Sequence, residues 1–172
     1  MMRIKVLAAK LLAKKVNKDT KKWSSKPVET QQKVLQNLIK EASKTKFGKD
    51  HHFEQIKTFE DFAKHVPVRD YEALRPYVDL VVEGKPDILW KGKPVYFAKT
   101  SGTTSGAKYI PLTKESIPYH IQAARNALLS YIHETGNADF VKGKMIFLQG
   151  SPILEEKNGI KLGRLSGIVA HY

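Results

Sequence analysis

Val95-Tyr96-Phe97-Ala98-Lys99-Thr100-Ser101-Gly102-Thr103-Thr104-Ser105-Gly106-Ala107-Lys108-Tyr109-Ile110-Pro111-Leu112 is the stretch on which the reading of this chain turns. It opens on a short β-type run, Val95 to Ala98, and closes on a second, shorter one, Tyr109 to Leu112, where Pro111 favours a sheet edge or a strand end. Between them lies a loop of small residues, Thr100 to Gly106, followed by Lys108. Its glycines let backbone N–H groups approach phosphate oxygens with no Cβ in the way. The Ser and Thr hydroxyls add donors, and the lysine supplies the charge that a phosphate needs neutralised. Each charge-assisted hydrogen bond is worth about 1.5–3 kcal/mol, so several together hold a polyphosphate. Composition alone also fits a flexible turn. The loop is not a Walker A sequence: three residues separate Gly102 from Gly106, Lys108 comes one residue late, and Tyr109 replaces the metal-binding hydroxyl.

The chain changes character on either side of this stretch. Upstream it is helical. Ile4, Leu7, Leu11 and Leu12 fall at helical spacing among lysines, which predicts an amphipathic basic helix that lays this face on the rest of the domain. Glu29 to Ser43 predicts a second helix with Val34, Leu35, Leu38, Ile39 and Ala42 on its stripe, stopped by Gly48. Phe59 to His65 predicts a short helix capped by Thr58 with Asp61 three residues on. Arg69 to Glu83 predicts another, capped by Asp70 and bent or broken at Pro76. Downstream, Ser116 to Glu134 is the longest helical pattern and ends at Gly136. Met145-Ile146-Phe147-Leu148 reads as a buried strand, and residues 150–163 as a hairpin. The whole is mixed α/β.

The 172 residues carry 30 Lys and Arg against 17 Asp and Glu, a net charge of +13, and no cysteine. The missing cysteines exclude disulfide scaffolds, cysteine nucleophiles, iron–sulfur clusters and thiolate zinc sites. The charge is uneven: residues 1–50 carry a net +10 and residues 51–172 only +3. That division suggests a basic helical segment, 1–50, followed by a nearly balanced domain, 51–172. The lysines interrupt any secretory apolar region, and no stretch approaches the roughly 20 apolar residues of a membrane span. A cytoplasmic protein is expected.

The loop resembles the phosphate-binding loop of the adenylate-forming superfamily, whose common form is Thr-Ser-Gly-Thr-Thr-Gly-x-Pro-Lys. Here there is one extra residue, Ser105, and no proline before Lys108. In that departure it is similar to the auxin-responsive "Gretchen Hagen" acyl acid–amido synthetases, whose loop runs on to Lys-x-x-Pro, as in Lys108-Tyr109-Ile110-Pro111. Further matches follow in order: Lys44 to Lys49, Phe53 and Ile56, Val66-Pro67-Val68, Asp70-Tyr71-Glu72, Pro76-Tyr77 and Ile88-Leu89-Trp90. The resemblance covers nearly all of the chain and is closest to the bacterial branch of the family.

The resemblance implies a luciferase-like fold, of which residues 51–172 are the first part of the large N-terminal domain, with the phosphate loop at 100–108. It implies that a small carboxylic acid attacks the α-phosphate of Mg-ATP and that the acyl group passes to an amino acid. Thr100, Ser101, Gly102, Thr103, Thr104, Ser105 and Gly106 would cradle ATP, and Lys108 would supply catalytic charge. His120 and Arg125 would line the acid pocket, Arg125 meeting a carboxylate bidentately. For Arg125 the plain alternative is a solvent-exposed arginine. The family's magnesium-binding glutamate and ribose-binding aspartate motifs are absent, so the chain is expected to be the first third of the enzyme, with the remainder of the polypeptide as its partner. No nucleic-acid reading motif is present. Two other readings remain: an acyl-CoA ligase, and a non-catalytic basic module that binds nucleic acid or anionic membrane. The six histidines lack metal-ligand spacing and read as surface or helix-face residues.

Overall fold

The computed structural model describes residues 2–100 and 108–172. Seven α-helices and four strands follow in order: α1 (Met2–Ser24), α2 (Pro27–Ala42), α3 (Lys46–Asp50), α4 (Phe59–His65), α5 (Tyr71–Val82), β1 (Tyr96–Lys99), β2 (Tyr109–Leu112), α6 (Ile117–Thr135), β3 (Glu155–Lys157), β4 (Ile160–Gly163) and α7 (Leu165–His171). They form two compact units, Met1–Thr30 with Ile117–Leu148, and Gln31–Ser116 with Gln149–Tyr172.

The second unit is built on a sheet of order β2-β1-β4-β3. β1 pairs antiparallel with β2, from Tyr96 opposite Leu112 to Lys99 opposite Tyr109. On its other side it pairs parallel with β4, Phe97 opposite Leu162. β1 buries Tyr96, Phe97 and Ala98 in succession, whereas β4, equally internal, alternates buried Ile160 and Leu162 with exposed Lys161. Pro111 sits on edge strand β2, where no further partner needs its missing N–H. The expected hairpin is β3–β4, turned by Asn158 and Gly159 at φ 51° and 77°, the left-handed pair that a two-residue turn requires.

α5 covers this sheet. Asp70 accepts from the Ala73 N–H and caps it, and the helix runs on through Pro76 without the expected break. Val78, Val81 and Val82 come to one face at helical spacing and pack on Phe97, Ile160, Leu162 and Ile88. Phe97 is fully buried there.

A second cluster joins Ile39 and Ala42 of α2 to Phe53 and Ile56, with Leu35, Phe47, Phe62 and Trp90 around it. Val34 and Leu38, expected on the same stripe, are exposed. Gly48 does not stop α2. The helix ends at Ala42, and buried Thr45 makes the junction: its hydroxyl donates to the Ala42 carbonyl at 2.7 Å and accepts from the Gly48 N–H at 3.0 Å. Gly48 lies within α3, where a Cβ would stand 2.1 Å from the Ala42 oxygen. Its role is close approach. α4 carries the expected capping box of Thr58 and Asp61. The Lys57 and Thr58 N–H groups hold the Asp61 carboxyl below its ordinary pKa. This box therefore stabilises α4 above the ordinary carboxylate value and is lost as pH falls through the lowered one.

The first unit pairs α1 with α6. The face of α1 that packs is Val6, Ala9, Ala13 and Val16, against Leu129, Ile132 and Ala138. The expected face is turned to solvent: Ile4, Leu7, Leu11 and Leu12 are 70, 60, 62 and 42% exposed. Small residues win because Ala9 and Ala13 let the two helix axes approach, which bulky side chains would prevent. Gly136, at φ 68°, ends α6 as expected. The buried strand expected at 145–148 is absent. Met145, Ile146, Phe147 and Leu148 form no ladder among the described residues and are 51, 89, 66 and 100% exposed.

Two substitutions test this core. Phe97→Ala removes a fully buried ring and is expected to cost about 3–5 kcal/mol in equilibrium urea unfolding. Gly48→Ala forces a Cβ into the Ala42 carbonyl and is expected to cost about 1–3 kcal/mol by overpacking. Full stability in either variant contradicts the packing described.

Candidate phosphate-binding site

The segment 100–108 leaves the end of β1 and returns on β2, and the β1–β2 ladder brings its two ends together. The Thr100 N–H donates to the Lys108 carbonyl at 3.2 Å, and the Lys108 N–H donates to the Thr100 hydroxyl at 3.4 Å. Two of the nominated residues, Thr100 and Lys108, thus form the base of the loop. Ser101, Gly102, Thr103, Thr104, Ser105 and Gly106 lie outside the described residues.

α5 supports the returning side. Asp70 fixes its first turn, which places the Tyr71 hydroxyl where it accepts from the Tyr109 N–H at 2.9 Å. Lys108 Nζ stands over the Tyr71 ring, 5.3 Å from its centroid, and Arg75 approaches the same ring at 5.9 Å. Lys157 of β3 lies over the Tyr109 ring at 4.9 Å, and Tyr109 meets Phe97 edge to face. Cation–π contact orients an ammonium group while leaving its N–H donors open to a further acceptor. Arg75 is also paired with Glu72 at 2.9 Å. Lys108 and Lys157 have no carboxylate partner among the described residues. The base of the loop therefore holds a lysine, Lys108, whose donors are open to an anion. Lys99, the last residue of β1, reaches Glu155 of β3 at 3.9 Å.

His120 and Arg125 are both exposed on α6, in the first unit. Five residues apart, they project about 140° from each other around the helix. The Arg125 guanidinium bonds the Asn126 side-chain oxygen at 3.3 and 3.4 Å. Glu155 and Glu156 are exposed on β3. In the 163–167 segment Gly167 serves packing, since a Cβ there would meet the Ser151 carbonyl at 2.1 Å, and the Ser166 hydroxyl accepts from the Gly150 N–H.

Sequence reasoning passed over two residues of this end, Tyr71 and Arg75. Tyr71 had been matched only as part of Asp70-Tyr71-Glu72, and its contact spans 38 residues, beyond any local pattern. The six histidines are expected at the surface or on helix faces. His51 is 4% exposed and stacks on Phe47 at 4.0 Å. Arg69 donates to its Nε2 at 2.7 Å, so Nδ1 carries the proton and donates to the Phe47 carbonyl at 2.8 Å. Beside it Tyr77 donates to Asp50, whose carboxyl is held below its ordinary pKa by bonds from Lys46 and Tyr77. This cluster locks α3 onto the start of α5. Among the described residues no group of three or more His, Asp or Glu is arranged to hold a metal ion, and no helix is long and apolar enough to cross a membrane.

Known proteins resemble this chain in sequence and in fold. The chain is 33% identical over 109 residues to indole-3-acetic acid-amido synthetase GH3.15 of Arabidopsis thaliana, covering 62% of this chain and 18% of that protein. It is 38% identical over 58 residues to probable indole-3-acetic acid-amido synthetase GH3.13 of Oryza sativa subsp. japonica, covering 33% of this chain and 12% of that one. Its fold matches that of GH3.15 acyl acid amido synthetase with a TM-score of 0.71 at 24% identity, over 82% of this chain and 26% of that one. AtGH3.15 acyl acid amido synthetase in complex with 2,4-DB matches with the same TM-score at 23% identity, over 82% of this chain and 25% of that one. The chain thus spans between 12 and 26% of the lengths of these relatives. Residues 16–172 match the model of the GH3 family N-terminal domain, and the chain belongs to the GH3 family.

Proposed function

We propose that the polypeptide to which this chain belongs is an ATP-dependent acyl acid–amido synthetase, and that residues 51–172 contribute the phosphate-binding part of its N-terminal domain. The supporting observation is the closed base of segment 100–108, with Lys108 oriented on Tyr71 and free of any carboxylate among the described residues. Relatives named as indole-3-acetic acid-amido synthetases support the reaction class.

In this reading the acid's carboxylate oxygen attacks the α-phosphorus of ATP. The bond to the β-phosphate oxygen breaks, pyrophosphate leaves, and an acyl-adenylate remains. The amino acid's amine then attacks the acyl carbon, and AMP leaves. No protein nucleophile is needed, so the chain's contribution is positioning and charge. Hydroxyl and backbone donors of Thr100 to Gly106 hold phosphate oxygens, and Lys108 offsets the charge that builds on them. Magnesium would add charge neutralisation on the phosphates, and its protein ligand is proposed to lie outside this chain. The protein is proposed to be cytoplasmic.

Carboxylate-dependent exchange of labelled pyrophosphate into ATP by the full-length polypeptide tests the reading, with indole-3-acetic acid and 2,4-DB first in the panel. Exchange that requires an acid supports it, and a folded protein that exchanges with no acid in a broad panel overturns it. An amide product with an amino acid, and no thioester with coenzyme A, separates it from an acyl-CoA ligase.

The site itself predicts a graded series in the same assay. Lys108→Ala removes one charged contact and is expected to cost about 1.5–3 kcal/mol in kcat/KM for ATP. Tyr71→Phe keeps the ring under Lys108 and loses only the acceptor for Tyr109, so about 0.5–1.5 kcal/mol is expected. A Lys108→Ala enzyme with unchanged kcat/KM removes Lys108 from the site.

A further inference from the structure

α1 carries two apolar faces, and the fold uses one. Val6, Ala9, Ala13 and Val16 pack within the first unit. Ile4, Leu7 and Leu11 lie about 170° away around the helix, 70, 60 and 62% exposed. Lys14, Lys15 and Lys18 continue the same solvent face toward the C-terminus, all exposed. Arg3 and Lys10 flank the apolar strip on one side. α1 holds eight Lys and Arg against one acid, Asp19. Among the described residues no carboxylate pairs with any of these cations. The strip precedes residue 16, where the match to the family domain begins.

We infer that this solvent face of α1 is a docking surface for an anionic lipid membrane. The chemistry selects that occupant. A narrow apolar strip set among unpaired lysines matches an interface where acyl chains meet anionic headgroups: the Ile and Leu side chains enter the acyl boundary, and the lysines extend to the headgroups. Nucleic acid complements the charge and leaves Ile4, Leu7 and Leu11 in water. A second copy of this chain complements the apolar strip and opposes lysine to lysine. The helix lies in the interface plane, because it is far too charged to cross. The surface stands apart from segment 100–108 in the sequence and does not depend on the reaction proposed above.

Sedimentation of the full-length polypeptide with vesicles tests the inference. On vesicles with about one-third phosphatidylserine in phosphatidylcholine, partitioning is expected at least tenfold above that on phosphatidylcholine alone, falling steeply with added salt. Leu7→Glu with Leu11→Glu, both on the exposed face, is expected to abolish it with the far-UV circular dichroism unchanged. Lys14→Glu with Lys15→Glu is expected to reduce it at least tenfold and serves as an independent variant should the first fail to fold. Equal partitioning on neutral vesicles overturns the inference, as does binding that survives Leu7→Glu with Leu11→Glu. No vesicle binding alongside tight binding to duplex DNA assigns the face to nucleic acid and overturns it. Self-association that Leu7→Glu with Leu11→Glu removes, without vesicle binding, assigns it to a second copy and equally overturns it.

Discussion

The double pairing of β1 is the constraint from which the second unit is built. Four residues, Tyr96 to Lys99, are held by β2 on one side and β4 on the other, and the Phe97 ring is sealed beneath α5. A strand fixed on both edges and one face has no freedom to slip, because a one-residue shift would turn Phe97 out of the core. The segment that leaves β1 therefore starts from a fixed point, and the β1–β2 register returns it to one. Thr100 and Lys108 meet because Lys99 is paired with Tyr109. The chemistry proposed for this chain begins at that pair.

α5 links the core to the site. Its Val78, Val81 and Val82 stripe holds it on the sheet, and its first turn, capped by Asp70, holds Tyr71 against Tyr109 and under Lys108. The His51–Arg69 bond ties the segment before that turn back to α3. The energetic scale follows from burial. The apolar contacts of α5 supply stability, whereas the exposed ion pairs around it, such as Arg75 with Glu72, add little.

Much of this was legible in the sequence, for physical reasons that differ by element. The α4 and α5 caps were, because capping is a contact between residues three apart: Thr58 with Asp61, Asp70 with Ala73. The edge position of β2 followed from one missing N–H at Pro111. The Asn158–Gly159 turn sat in a segment already read as a hairpin. The small-residue loop pointed to phosphate chemistry through its composition, and its ordered neighbours pointed to the family. What escaped depended on contacts distant in sequence. Bulk hydrophobicity favoured Ile4, Leu7 and Leu11 as the packed face of α1, whereas close approach to α6 selects alanines. Gly48 looked like a helix stop, and its reason is a carbonyl six residues away. The 145–148 run has the composition of a buried strand, and a strand needs a ladder partner that no described residue supplies. Tyr71 reaches the site only through tertiary pairing.

The central claim is that segment 100–108, closed at its base by β1 and β2, is where this polypeptide holds the phosphates of ATP. Hydrogen–deuterium exchange of the full-length protein, with and without magnesium ATP, tests it most directly. The account predicts that ATP slows exchange in peptides spanning 100–109 and leaves those of α1 unchanged. ATP binding that protects other segments while 100–109 exchanges as before would contradict it.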